Sequence, residues 1–128
     1  MLELDNFSIR FALAVSILGT PAKADKKCSI PQASGLASWY NVASSSTKTA
    51  SGERFTGQDM TAAHKTLPFD SRVRVTDKKT GKSIVVRIND RGPYVPGRVI
   101  DLSEAAAKRL GSKERGAVPV KLKLEKCG

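Results

Sequence analysis

Three stretches of this chain alternate apolar and polar side chains with a period of two, and a chain patterned in this way folds as strands. Between Val118 and Leu124, the residues Val118, Val120, Leu122 and Leu124 fall on one side while Lys121 and Lys123 fall on the other. Val73-Arg74-Val75-Thr76 and Ser83 to Ile88 repeat the pattern, and Asp77-Lys78-Lys79-Thr80-Gly81-Lys82 reads as the hairpin turn between them. Gly35 to Val42, with Trp39 and Tyr40, predicts another strand, and Met60 to Ala63 a short one. One helix is convincing. Ser103 is a good N-cap, Glu104 suits the positive helix end, Lys108 and Arg109 suit the negative end, and Gly111 can take the left-handed position beyond it. Ala105, Ala106 and Ala107 allow this helix to pack closely. Short strands, frequent turns and one small helix predict a mainly β fold of compact barrel type.

The N-terminus reads as an export signal. Phe11 to Leu18 is apolar but too short to cross a bilayer, and Ala22-Lys23-Ala24 matches a small-residue cleavage site, so the mature chain is expected to begin at Asp25. The expected organisation is a signal peptide over residues 1–24, a polar lead-in over 25–34 and one barrel domain over 35–128. A single domain of that size buries a core without help from a metal. Residues 1–24 contain Glu3, Asp5, Arg10 and Lys23, two charges of each sign, so the net charge of +10 belongs wholly to the mature chain. Such a charge favours polyanionic partners. Export argues against nucleic acid and for wall polymers, lipid headgroups or acidic glycans; a solvated basic face is the plain alternative. No later segment is long and apolar enough for a transmembrane helix.

Two stretches carry the chemistry. Val85 to Ser103 reads VVRINDRGPYVPGRVIDLS and delivers Asp90 from the end of a strand into an Arg-Gly-Pro turn. From this stretch alone, Asp90 reads better as a residue that caps its own turn than as a catalytic group. Thr49 to Phe69 reads TASGERFTGQDMTAAHKTLPF, with Glu53 after a Ser-Gly turn and the only histidine, His64, after Thr-Ala-Ala. Together, TASGE, TAAH-x-x-LPF, V-x-V-x-INDRGP and R-x-IDLS closely resemble the double-psi β-barrel domain of the rare lipoprotein A family, septal lytic transglycosylases of bacterial peptidoglycan. The resemblance runs from about Gly35 to Val120. It implies a six-stranded double-psi β-barrel, a periplasmic or secreted enzyme without cofactor, and cleavage of glycan strands, intact or stripped of peptide, to 1,6-anhydro-N-acetylmuramic acid ends; one histidine and two terminal cysteines lack the ligand spacing of a metal site.

Such cleavage requires an acid to protonate the leaving oxygen, while the sugar's own C6 hydroxyl attacks in place of water. An intramolecular nucleophile already has a high effective concentration, so a positioned acid/base and charge stabilisation suffice. Asp90 falls where the family places an essential aspartate and is the first choice for that acid/base. Glu53 matches an acidic position that shares the proton transfers or holds substrate. His64 matches the family's histidine and either hydrogen-bonds a carboxylate or sugar hydroxyl, or is a structural histidine. Arg91 is expected to point away from Asp90 or to bind saccharide, and Tyr94 to line the groove. Trp39 and Tyr40 invite a sugar-stacking role, with Tyr40 the substrate-binding candidate, although one of two adjacent strand residues normally points into the core. Asp101 reads as support for the helix start.

The chain departs from the family at Asp70-Ser71, where Gly-Thr commonly follows LPF, and at Asn41 to Lys48, which is Ser-rich where glycine is typical. Cys28 follows Asp25-Lys26-Lys27 rather than an apolar box, which argues against a lipid anchor. In an oxidising compartment Cys28 and Cys127 read as a disulfide, with two free thiols as the alternative. A monomer is expected. The competing function is a non-catalytic wall-binding or wall-loosening module, because expansins and barwin-like proteins resemble this barrel.

Overall fold

The computed structural model describes residues 28–40 and 48–128. The expected signal peptide, its cleavage site, residues 41–47 of the Ser-rich segment and the end of the predicted Gly35 to Val42 strand lie outside the described residues. In chain order the elements are β1 (Ser34–Trp39), β2 (Thr61–Ala63), β3 (Arg72–Asp77), β4 (Ser83–Asp90), β5 (Arg98–Leu102), α1 (Glu104–Leu110), a 3-10 turn (Lys113–Arg115) and β6 (Val118–Lys126). The strands close into a barrel in the order β1-β5-β2-β4-β3-β6. Two of the pairings, β1 with β5 and β2 with β4, are parallel, and the other four are antiparallel. This is the six-stranded double-psi β-barrel. Closure leaves no strand with unpaired backbone along its edge.

Alternation in the sequence becomes an inside and an outside. Val73, Val75, Ile84, Val86, Ile88, Val118, Val120 and Leu122 all point into one core with Leu67, Ile100, Leu102 and Leu110. Ser103 caps α1 by accepting the Ala106 amide on Oγ, and its hydroxyl donates to Asp59 O at 2.6 Å. At the other end Gly111, with φ 85°, donates its N–H to the carbonyls of Ala107 and Lys108. Ala106 and Ala107 are fully buried against the barrel, as their size allows.

The outer face of β3 and β6 holds much of the positive charge. Arg74 lies directly across from Lys123, and Arg72 from Lys126, with Lys121 further along. Like charges opposed in this way are mutually destabilising. One carboxylate relieves them, Glu125, which accepts from Arg74 Nε at 2.9 Å.

Two links tie distant segments together. Cys28 and Cys127 form a disulfide that closes a loop of 99 residues, worth about 4 to 5 kcal/mol in a chain-entropy account. Asp77, fully buried at the end of β3, accepts the amides of Lys79 at 2.8 Å and Thr80 at 3.3 Å and pairs with the guanidinium of Arg115. The β3–β4 hairpin is thereby fastened to the turn after α1. Burial pushes the Asp77 carboxyl up, but the Arg115 guanidinium and the two amides outweigh it and hold the group below its ordinary value.

A group depressed in the folded state stabilises the fold above its unfolded value and loses that contribution as the pH falls through the folded one. Asp77→Asn should therefore cost about 1–3 kcal/mol at pH 7, the range for a hydrogen bond to a charged group. Denaturant unfolding should show the gap between the two proteins closing below about pH 4, near the ordinary carboxylate value.

Candidate active site

The two chemistry-bearing stretches meet at the C-terminal end of β4. Residues 49–53 form a tight loop closed by Thr49 N–H to Glu53 O at 2.8 Å and Gly52 N–H to Thr49 O at 2.9 Å. Gly52 sits at φ 93°, a conformation that residues with a Cβ rarely adopt. The loop docks onto β4 through Ser51 N–H to Asn89 O at 3.3 Å and Ala50 N–H to Asp90 Oδ1 at 2.8 Å. Asp90 Oδ1 also accepts the amide of Arg91 at 2.9 Å. Asp90 thus bonds the amide of the next residue rather than the amide two residues on that an Asx turn uses, and the same oxygen also holds the loop that brings Glu53.

Glu53 is clamped. Both of its oxygens accept from Arg87 Nη2 at 2.9 Å, and Oε1 also accepts from Asn89 Nδ2 at 2.8 Å. The Arg87 bond, with smaller help from Asn89, holds the Glu53 carboxyl below its ordinary value. Arg87 reaches with Nη1 to Asp70 at 2.9 Å, so one guanidinium bridges two carboxylates. Asp70 has φ 75°, in the left-handed region that favours glycine, and its partner here is the Arg87 guanidinium.

Asp90 and Asp101 lie on either side of β2. Ala63 is in register with both, Asp90 on the parallel side and Asp101 on the antiparallel side, so about 10 Å of sheet separates their strands. Asp101 does not support the helix start, as its place before Leu102-Ser103 predicts. Ser103 does that alone, and the Asp101 carboxylate accepts from Ser38 Oγ of β1 at 2.5 Å. Burial pushes the Asp101 carboxyl up and the charge of Asp90 adds to the push, against lowering by Ser38 and Arg98.

Tyr40 belongs to this cluster through its hydroxyl. One face of its ring stacks on Phe55, with centroids 4.7 Å apart, which covers that face against a sugar. Its hydroxyl is buried with no hydrogen-bond partner among the described residues. Burial, then the charges of Asp90, Asp101 and Glu53, push the phenol well above its ordinary value and keep it protonated. Trp39 turns elsewhere and packs against the core, its indole N–H donating to Lys113 O at 3.2 Å.

His64 is only 4% exposed. Its backbone N–H donates to Asp90 O at 3.1 Å, and its Nδ1 accepts the amides of Thr66 and Leu67, each at 3.1 Å. An Nδ1 that accepts two N–H groups leaves the proton on Nε2. Burial, with the positive charges of Arg91 and Lys65, lowers the imidazole to about 4. Arg91 points away from its neighbour's carboxylate: its guanidinium lies over the Phe69 ring at 4.1 Å and donates to His64 O at 3.1 Å. Tyr94 is 75% exposed on the β4–β5 loop, beside Val95 at 47%. Among the described residues no cluster of His, Cys, Asp and Glu is arranged to hold a metal ion.

Sequence reasoning therefore missed Ser38, Arg87, Asn89 and the site position of Asp101. Arg87 and Asn89 flank Ile88 on the polar side of an alternating strand, a signal that marks them as facing away from the core without naming what they meet.

A family model described as a lytic transglycolase matches residues 32–122. Over 88 residues the chain is 53% identical to a probable endolytic peptidoglycan transglycosylase RlpA of Synechocystis, covering 69% of this chain and 27% of that protein. It is 56% identical over 88 residues to the endolytic peptidoglycan transglycosylase RlpA of Pseudomonas aeruginosa, covering 69% and 26%. A probable RlpA of Aquifex aeolicus is 47% identical over 94 residues, covering 73% and 42%. The chain thus spans about a quarter to two-fifths of the length of these curated relatives. Among solved structures, the Streptomyces papain inhibitor aligns with TM-score 0.59 at 24% identity, covering 76% of this chain and 97% of its own. An expansin of Clavibacter michiganensis aligns with TM-score 0.59 at 19% identity, covering 73% and 50%. These two likenesses are of fold alone.

The state of His64 can be read directly. In an NMR titration its ring should stay neutral at pH 6.5 and take its proton with a midpoint of about 4. A midpoint near the ordinary 6.5 would contradict the hydrogen-bonding described for Nδ1.

Proposed function

The chain belongs to the lytic transglycolase family, and on that premise we propose that it is an exported lytic transglycosylase that cleaves peptidoglycan glycan strands. The observation that carries this reading is the set of three carboxylates with three different environments. Asp101 is pushed up, Glu53 is held down, and Asp90 lies across Ala63 from Asp101 with Oδ1 pinned by two amides. A carboxyl raised by burial suits the acid, one held ionised by a guanidinium suits charge stabilisation, and Asp90 takes the place of the base by its position.

In the proposed reaction Asp101 holds the proton and delivers it to the glycosidic oxygen as the C1–O bond breaks. The C6 hydroxyl of the same sugar attacks C1 and gives its proton to Asp90, which closes the anhydro ring. One proton leaves Asp101 and one arrives on Asp90, so exchange within the pair or with solvent resets the site. The acid/base work, for which the sequence puts Asp90 first and Glu53 as its candidate partner, thus falls in this reading to Asp90 and Asp101. Glu53, kept ionised by Arg87, stabilises positive charge at C1 rather than moving protons. His64, neutral at working pH, positions and does not relay. Tyr94 and Arg91 lie on the loop that follows Asp90, and Tyr94 offers an exposed ring to saccharide.

Extracytoplasmic peptidoglycan also suits the disulfide and the lack, among the described residues, of any helix able to cross a membrane. The basic β3–β6 face favours a carboxylate-bearing polymer. Affinity for such strands should fall as salt rises, since exposed charges are screened beyond about 8 Å at physiological ionic strength. Affinity unaffected by salt would remove the basic face from recognition.

Incubation with peptide-free glycan strands, followed by mass spectrometry, tests the reaction. Anhydro ends support it, reducing ends indicate hydrolysis, and an intact polymer indicates the wall-binding module that expansins typify. Asp101→Asn and Asp90→Asn should each lower turnover by about 10² to 10⁴, the usual contribution of an acid or base, while glycan binding persists. Wild-type turnover in a folded Asp101→Asn protein would place the acid elsewhere.

A further inference from the structure

Beyond the carboxylates, a cavity of about 120 Å³ is lined by Pro31, Gln32, His64, Lys65, Thr66 and Val99. None of the catalytic steps above uses it. It adjoins the site through His64, which lines the cavity and whose backbone N–H donates to Asp90 O. We propose that this cavity is a subsite for the acetamido group of an N-acetylated sugar, with His64 Nε2–H donating to the acetamido carbonyl oxygen. The inference rests on the reading that the ligand is a glycan of N-acetylated sugars.

The hydrogen bonding of His64 selects the ligand chemistry. Nδ1 already accepts the amides of Thr66 and Leu67, and a proton placed there would face two donors and break both bonds. The ring therefore meets a ligand as one neutral donor. Its Nε2 has no partner among the described residues, and it is not among the polar atoms sealed from solvent without one. A carbonyl oxygen matches such a donor. A carboxylate matches it less well, because it would favour an imidazolium that the two amides forbid and would press its charge against Pro31 and Val99.

The other walls fit the rest of the group. Pro31 and Val99 offer apolar surface to the acetyl methyl, and the Gln32 amide and Thr66 hydroxyl supply acceptors for the acetamido N–H. The volume holds several water-sized groups, enough for CH₃–CO–NH. Lys65 and Arg91 make the surroundings of His64 positive, which favours the negative end of the carbonyl dipole toward the ring.

Chitohexaose and cellohexaose test the subsite, because both are neutral and they differ at the acetamido position. Calorimetric or NMR titration of the wild-type protein should give a Kd for chitohexaose lower by roughly 10- to 100-fold, the discrimination that a pocket of this kind supplies. His64→Asn keeps a short side-chain acceptor near the Thr66 and Leu67 amides while removing the Nε2 donor. Thr66→Phe fills the cavity while its own backbone amide can still bond Nδ1. Each substitution should bring chitohexaose to within a few-fold of cellohexaose. Neither hexamer has to be cleaved, so failure of the transglycosylase reading leaves this comparison standing. Equal affinity of the wild type for both sugars, including binding of neither, overturns the proposal. So does a preference that survives in both variants once their folding is verified by amide spectra.

Discussion

The hydrogen bond from Ala50 N–H to Asp90 Oδ1 turns two separate motifs into one site. Residues 49–53 carry Glu53, β4 carries Asp90, and neither stretch has an acid/base arrangement alone. Docking the loop against Asn89 and Asp90 sets Glu53 between Arg87 and Asn89, and Arg87 in turn reaches Asp70. The carboxylate that the sequence marks as a site residue is thus also the hinge on which the site is assembled. A substitution at Asp90 consequently acts on loop position as well as on proton transfer, and Asp90→Asn needs a structural check beside its rate.

Charge is sorted across the barrel. Negative groups gather where β4, β2, β5 and β1 lie side by side, in register through Asp90, Ala63, Asp101 and Ser38. Positive groups oppose one another on the outer face of β3 and β6. The buried Tyr40 hydroxyl shows how strongly the first region is polarised, because three carboxylates act on one phenol that has no partner of its own among the described residues. An unpaired buried donor costs stability.

How much was legible in the sequence followed the range of each signal. Strands β3, β4 and β6, the Asp77 hairpin and the Ser103 and Gly111 caps are written in neighbouring residues and form as read. The parallel pairing of β1 with β5 and of β2 with β4 joins distant segments, and only the family resemblance made it visible. The same limit explains Asp101. Its neighbours Leu102 and Ser103 look like a helix start, whereas its true partner, Ser38, lies 63 residues away. Glu53 was found by motif, but the clamp that sets its charge comes from residues 34 and 36 positions along the chain. Tyr40 was read as a stacking platform because an aromatic residue beside Trp39 offers a ring, and the cover that Phe55 gives it depends on a loop the pattern does not place.

The account stands on the division of proton affinity among the carboxylates. Carbonyl-carbon NMR of the protein labelled at Asp and Glu, followed from neutral pH into acid, measures it residue by residue. Asp101 should take its proton above the ordinary aspartate value, and Glu53 should remain ionised below the ordinary glutamate value. If Glu53 instead protonates at or above the ordinary glutamate value, or Asp101 at or below the ordinary aspartate value, the Arg87 clamp and the burial of Asp101 do not control the site and the assignment of acid and stabilising roles is contradicted.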